Sequence, residues 1–187
     1  MLCRIMEDSG KTALMGKTAV NRPFTAYFGI EGSFKIVIKI LFVCHGNICR
    51  STMAEFVMKD LVHKAGLDAD FEIASAATSR EEIGNDIHPG TKAELRAQKI
   101  PYTRHLAVQM TKRDYEHYDL IIAMDNENLR GIERIVGPDN NNKVKLLLSY
   151  TDKATEVADP WYTGDFEATY DDVKRGCKAL LEKYKQK

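Results

Sequence analysis

The sequence predicts an α/β domain in which a parallel sheet is covered by helices on both faces. Two observations lead there. Short apolar runs alternate with segments of helical periodicity along most of the chain. The first run also passes through a tight loop directly into a helix, the opening of a doubly wound unit with ligands expected at the carboxyl ends of its strands.

The elements follow in order. Lys35 to Val43 (KIVIKILFV) is a β-branched apolar run interrupted only by lysines, as in a strand buried on both faces. After the loop Cys44 to Ser51, residues Thr52 to Lys64 place Met53, Phe56, Val57 and Leu61 at helical spacing, and Gly66 supplies a stop. Phe71 to Ala74 reads as a short strand and Pro89 to Gln98 as a helix with proline in its first turn. Tyr118 to Met124 (YDLIIAM) is a strand, and Glu127 to Val136 a helix ending at Gly137-Pro138. Lys143 to Leu148 (KVKLLL) is the last strand. Phe166 to Tyr184 closes the chain as a long helix with Val173, Cys177, Leu180 and Leu181 on one face.

At 187 residues, with 44% hydrophobic and 29% charged side chains, the chain suits one domain with its own core. The 27 basic residues balance the 27 acidic ones, so neither nucleic acid nor an anionic membrane is an expected partner. No apolar run reaches the ~20 residues a bilayer span needs, and Glu7, Asp8, Lys11 and Lys17 interrupt any signal-peptide core. A cytoplasmic location is expected, and the four scattered cysteines (Cys3, Cys44, Cys49, Cys177) fit reduced thiols rather than a disulfide framework. Residues 1–36 lack sustained periodicity. They are expected to be a poorly ordered appendage, or an upstream stretch left untranslated if synthesis begins at Val37, leaving 37–187 as the working domain. The Gly-Lys-Thr triplets at Gly10 and Gly16 do not make a nucleotide loop, because Ile5 and Lys11 stand where the motif requires glycine.

The chemistry is concentrated in Cys44-His45-Gly46-Asn47-Ile48-Cys49-Arg50-Ser51. A loop between a buried strand and a helix gathers unpaired N–H groups at a positive dipole end, which suits a dianion. Cys44 puts a sulfur at its centre. Arg50 adds a planar fork able to hold two phosphoryl oxygens. A thiol placed there falls from ~8.5 toward ~3.5–7.5, so Cys44 is expected to be a thiolate, and Ser51 is placed to hydrogen-bond the sulfur as it leaves in a second step. Gly46 and Asn47 permit unusual backbone angles. Asp159-Pro160, followed by Trp161 and Tyr162, supplies a carboxylic acid on a stiffened loop beside rings that pack on an aryl substrate. The five histidines show no paired metal spacing, and neither metal nor cofactor is expected.

LFVCHGNICRS-x-MAE (Leu41 to Glu55) resembles the signature of the low-molecular-weight protein tyrosine phosphatases, bacterial type. YDLIIAMDNENLR (Tyr118 to Arg130) and DPWY (Asp159 to Tyr162) resemble two further blocks of that family. The resemblance implies a four-stranded parallel sheet and metal-free hydrolysis of protein phosphotyrosine and small aryl phosphates through a cysteinyl-phosphate. It implies Cys44 as nucleophile, Arg50 as transition-state binder and Asp159 as general acid, with phosphate or other oxyanions as inhibitors. The loop residues His45 to Ser51 would hold the phosphate, and Ser51, Asn47, Ser75, His105 and Glu55 would form a hydrogen-bonded support beneath it.

Three positions depart from the family pattern. Thr52 stands where proline commonly starts the helix, Glu81 (beside Arg80 and Glu82) replaces a rim aromatic in the substrate wall shared with Trp161 and Tyr162, and Val108 replaces an arginine. Phosphoarginine hydrolysis is a rival reading, against which Ile48 stands where such relatives carry threonine. Arsenate reduction is another, but Lys99 to Asp159 contains no cysteine for a relay. A redox-sensing phosphate-binding module is a third, with Cys49 able to form a reversible disulfide with Cys44.

Overall fold

A computed structural model describes residues 25–28 and 34–185. Most of the 1–36 extension, including both Gly-Lys-Thr triplets, lies outside the described residues. Strand β1 (Thr25–Phe28) pairs antiparallel with the start of β2 (Phe34–Cys44), Thr25 opposite Val37. The strands β2, β3 (Phe71–Ala77), β4 (Leu120–Ala123) and β5 (Val144–Leu146) form a parallel sheet. In it β2 lies between β3 and β4, and β5 is outermost beyond β4.

Alternation along β2 builds two cores. Ile38, Ile40, Phe42 and Cys44 face one layer with Leu120 and Ile122 of β4, packed against helices α1 (Arg50–Lys64) and α6 (Phe166–Tyr184). Leu41 and Val43, with Ile121 and Ala123, face the other, where Ile132 of α4 (Asn126–Val136) packs. Every one of these side chains is buried. This is the expected reading of a strand run apolar on both faces.

Helix α2 (Pro89–Ala97) begins one residue after His88, whose Nδ1 accepts from the Gly90 N–H at 3.1 Å. A Cβ at Gly90 would fall 2.4 Å from the Phe166 ring, so α2 and α6 approach at a point only glycine allows. Two short helices escaped the sequence reading: α3 (Lys112–His117), started by a Thr111/Asp114 capping box, and α5 (Pro160–Thr163). Both are too short to show helical periodicity.

The expected strand Lys143 to Leu148 is cut to three residues, and Leu147–Tyr150 turns instead into a 3₁₀ segment. The reason is burial. Leu147 and Leu148 are both 0% exposed within the core that α6 completes. A continuing strand would send consecutive leucines to opposite faces. Gly66, at φ +69°, ends α1 where the stop was expected.

Candidate active site

The carboxyl end of β2 runs into the loop Cys44–Cys49, and α1 starts at Arg50. The first bond of its ladder is from Met53 N to the Cys49 carbonyl at 2.9 Å, which leaves the preceding amides outside the ladder. No acidic side chain occupies that first turn to satisfy them. Thr52, in place of a proline, donates its hydroxyl to the same Cys49 carbonyl at 2.8 Å, and its side chain is fully buried. The helix start thus keeps a fixing contact without a ring.

Asn47, not Gly46, adopts the left-handed conformation, with φ +59°. Gly46 gives room instead: a Cβ there would lie 3.0 Å from Cγ of Glu82, a tight contact that would press on that side chain where it rests on the loop. The Asn47 N–H points at Cys44 Sγ, 3.3 Å away.

The side chain of Asn47 is completely buried and uses all its hydrogen-bonding capacity. Its Nδ2 donates to Ser51 Oγ at 3.0 Å and Ser75 Oγ at 2.8 Å. Its Oδ1 accepts from the Val108 N–H and from His105 Nε2, both at 3.1 Å. These bonds fix proton directions. His105 must carry its proton on Nε2. Ser51, already accepting from Asn47, turns its own hydroxyl toward Cys44 Sγ at 3.1 Å. Ser75 donates onward to Glu55 Oε2 at 2.5 Å, and Lys59 pairs with the other Glu55 oxygen. Val108 therefore serves through its backbone, while its side chain is half exposed.

Arg50 is 3% exposed. Its NH1 donates to Asp125 Oδ2 and its NH2 to Asp159 Oδ2, each at 2.5 Å. Burial alone would lower its pKa, but Cys44, Asp159 and Asp125 outweigh burial and raise it. Asp125 was not found from the sequence. As the N-cap of α4, its Oδ1 accepts from the Asn128 N–H at 2.6 Å, and an Asp before a helix ordinarily does no more than this. Asp159 caps α5 in the same manner, accepting from the Trp161 N–H at 3.1 Å.

These groups line a cleft of about 240 Å³ together with His45, Ile48, Cys49, Glu81, Trp161 and Tyr162. Trp161 is 60% and Tyr162 85% exposed, so the aromatic wall stands free at the rim. His88 supports it from behind, edge-on to Trp161 at 6.0 Å and stacked on Phe166 at 5.1 Å. Cys49 is nonetheless buried, and burial foremost, with the neighbouring Cys44 adding, pushes its thiol up to about 12. Cys177 is fully buried in the core, donating to the Ala54 carbonyl.

The sequence model of the family described as low molecular weight phosphotyrosine protein phosphatase matches residues 39–187. The chain belongs to this family. It is 42% identical over 147 residues to a low molecular weight protein-tyrosine-phosphatase of Bacillus subtilis, YfkJ, covering 78% of this chain and 94% of that one. It is 40% identical over 149 residues to a human low molecular weight phosphotyrosine protein phosphatase, covering 77% and 94%. The crystal structure of YfkJ superposes with a TM-score of 0.77 at 41% identity, over 80% of this chain and 96% of that one. SP-PTP, a low molecular weight protein tyrosine phosphatase from Streptococcus pyogenes, gives 0.72 at 40% identity, over 79% and 93%. Four parallel strands between helices are thus the family fold, and the Cys-x5-Arg-Ser loop of this low molecular weight phosphatase sits at the strand ends where the sequence placed it.

Proposed function

We infer that this chain hydrolyses protein phosphotyrosine, and small aryl phosphates, in two steps through a cysteinyl-phosphate. One observation carries the inference: Cys44 Sγ lies at the helix start against the Ser51 hydroxyl at 3.1 Å, within a cleft that also holds Arg50 and Asp159. In the first step the sulfur attacks phosphorus and the P–O bond to the phenol breaks. Asp159 delivers the proton that the departing oxygen needs. In the second, water attacks phosphorus, Asp159 takes its proton, and the sulfur leaves while the Ser51 O–H stabilises its charge. Catalysis rests on positioning and charge. Binding a dianion requires Arg50 NH2 to exchange Asp159 for a phosphoryl oxygen, which frees that carboxyl for its proton transfer. Asp125 keeps hold of NH1 meanwhile and orients the fork.

Phosphate and related oxyanions would compete for the same loop. Ile48 lining the cleft supports a phenyl ring over a guanidino group. The reaction belongs in the cytoplasm, where Cys44 and Cys49 stay reduced, with Cys49 available to capture an oxidised Cys44 as a disulfide. No helix among the described residues is long and apolar enough to cross a membrane. The test is hydrolysis of p-nitrophenyl phosphate with EDTA present, in the native chain and in Cys44→Ser. Activity confined to the native chain supports the reading, and equal rates in both reject it. Phosphotyrosine, phosphoarginine and phosphoserine peptides then settle the substrate, phosphotyrosine being hydrolysed fastest.

A further inference from the structure

The mouth of this cleft carries a charge pattern at odds with a simple anion receptor. Two backbone bonds clamp the segment after β3 to the phosphate loop, from Thr78 N to the Cys44 carbonyl at 2.8 Å and from Ser79 N to the His45 carbonyl at 3.0 Å. The clamp holds Glu81 and Glu82 over the site. Glu81 Oε2 meets His45 Nε2 at 3.0 Å, and Glu82 lies across Gly46 while accepting from Asn85 Nδ2 at 2.6 Å.

The other charges on the cleft do not cancel this pair. Arg50 is engaged by Asp125 and Asp159, and Glu127 is engaged by Arg130 at 2.8 Å and Arg134 at 3.2 Å. Arg80 adjoins Glu81 in sequence but does not line the cleft. The side chain of Glu81 is 74% exposed, and that of its partner His45 is 54% exposed. An incoming dianion therefore passes two carboxylates carried on a segment whose backbone is clamped to the loop. They repel a bare phosphate or an acidic peptide, and attract a cation carried beside the phosphotyrosine.

We propose that Glu81 and Glu82 set the substrate class: phosphotyrosine in a segment with lysine or arginine on its flanks. The proposal rests on the phosphatase reading above and names the substrates of that same site. A flanking ammonium would take the place of His45 beside Glu81, and a second would reach the Glu82 carboxylate. Acidic flanks would meet repulsion of similar size at both points.

The test compares two phosphotyrosine peptides alike except for lysine or glutamate on both flanks, at about pH 7.5, where ordinary imidazoles are largely neutral. Low ionic strength should give the lysine peptide a kcat/KM about tenfold higher, the combined effect of exposed pairs made and like charges avoided. Salt near ~1 M, where the screening length is ~3 Å, should bring the two together. In E81Q/E82Q the ratio should fall toward one, and in E81K/E82K it should invert. The wild-type ratio needs no variant to fold. A ratio of one or below in the native chain overturns the proposal. So does a lysine preference that survives unchanged in E81Q/E82Q. Should p-nitrophenyl phosphate be hydrolysed while the ratio is one, only the substrate class is wrong. Failure to hydrolyse any of the three compounds removes the phosphatase reading and this proposal with it.

Discussion

Replacing Asn47 by alanine removes the hub beneath the phosphate loop. The lost bonds are two donated, to Ser51 and Ser75, and two accepted, from His105 and the Val108 amide. At ~0.5–1.5 kcal/mol net for each bond, with about 1 kcal/mol for placing alanine in a left-handed conformation, the cost is about 3–7 kcal/mol. For a chain this size that is a fall in Tm of roughly 6–28 °C. Two companions separate the contributions. Asn47→Gly loses the same bonds but tolerates φ +59°, so it should melt a few degrees above the alanine variant. Asn47→Asp keeps both acceptors and loses both donors, freeing the Ser51 hydroxyl from its fixed direction. It also buries a carboxylate one hydroxyl away from Glu55, so its stability should fall at least as far as that of the alanine variant, and its dephosphorylation step should be as slow. Calorimetry and stopped-flow release of p-nitrophenol measure the two effects. An alanine variant melting within about 2 °C of wild type would show that the four bonds carry no net stability and would refute the reasoning.

Asp159→Asn should lower kcat/KM on phenyl phosphate about 10²–10³-fold, and less on phosphates with better leaving groups, because proton delivery matters most for a poor one. A kcat/KM equal to that of the native chain across the same series of leaving groups removes Asp159 from the mechanism. His105 titrates below the usual imidazole range, burial lowering it while Glu55 opposes. The folded chain then holds this proton less tightly than the unfolded one. The stability tied to the neutral ring is present above ~6.5 and is lost as pH falls from there through the folded value. His105→Gln keeps a donor for Asn47 Oδ1 but does not titrate, so its Tm should drop less than that of wild type between about pH 7.5 and 5. Parallel curves would contradict this. Cys49→Ser should turn peroxide inactivation that dithiothreitol reverses into permanent loss as Cys44 oxidises beyond the sulfenic acid. Equal recovery in the two proteins would deny Cys49 a protective part.

Much of this site was legible because it is local. The β2 run, the loop and the first turn of α1 are contiguous, and a buried strand leading into a helix start fixes what their side chains can do. Ser75, His105 and Glu55 came only through family resemblance, since nothing near them in sequence says that they meet under Asn47. Asp125 was missed because its local role as a helix cap already accounts for an aspartate before Asn-Glu-Asn, while its second oxygen reaches an arginine 75 positions away. His88 was missed for a similar reason. It reads as a residue before proline, and its contacts with Trp161 and Phe166 exist only once α6 has packed against α2. The early end of β5 at Leu146 was hidden because an apolar run does not say whether both leucines after it need the same core.

The central claim is that phosphorus passes through the sulfur of Cys44. Rapid mixing of the native chain with p-nitrophenyl phosphate, acid quenching within the first turnover and peptide mass mapping test it directly. The account predicts one equivalent of p-nitrophenol released ahead of phosphate, with the phosphoryl group on the peptide holding Cys44. Full turnover with that peptide unmodified, or the phosphoryl group on another side chain, would contradict it.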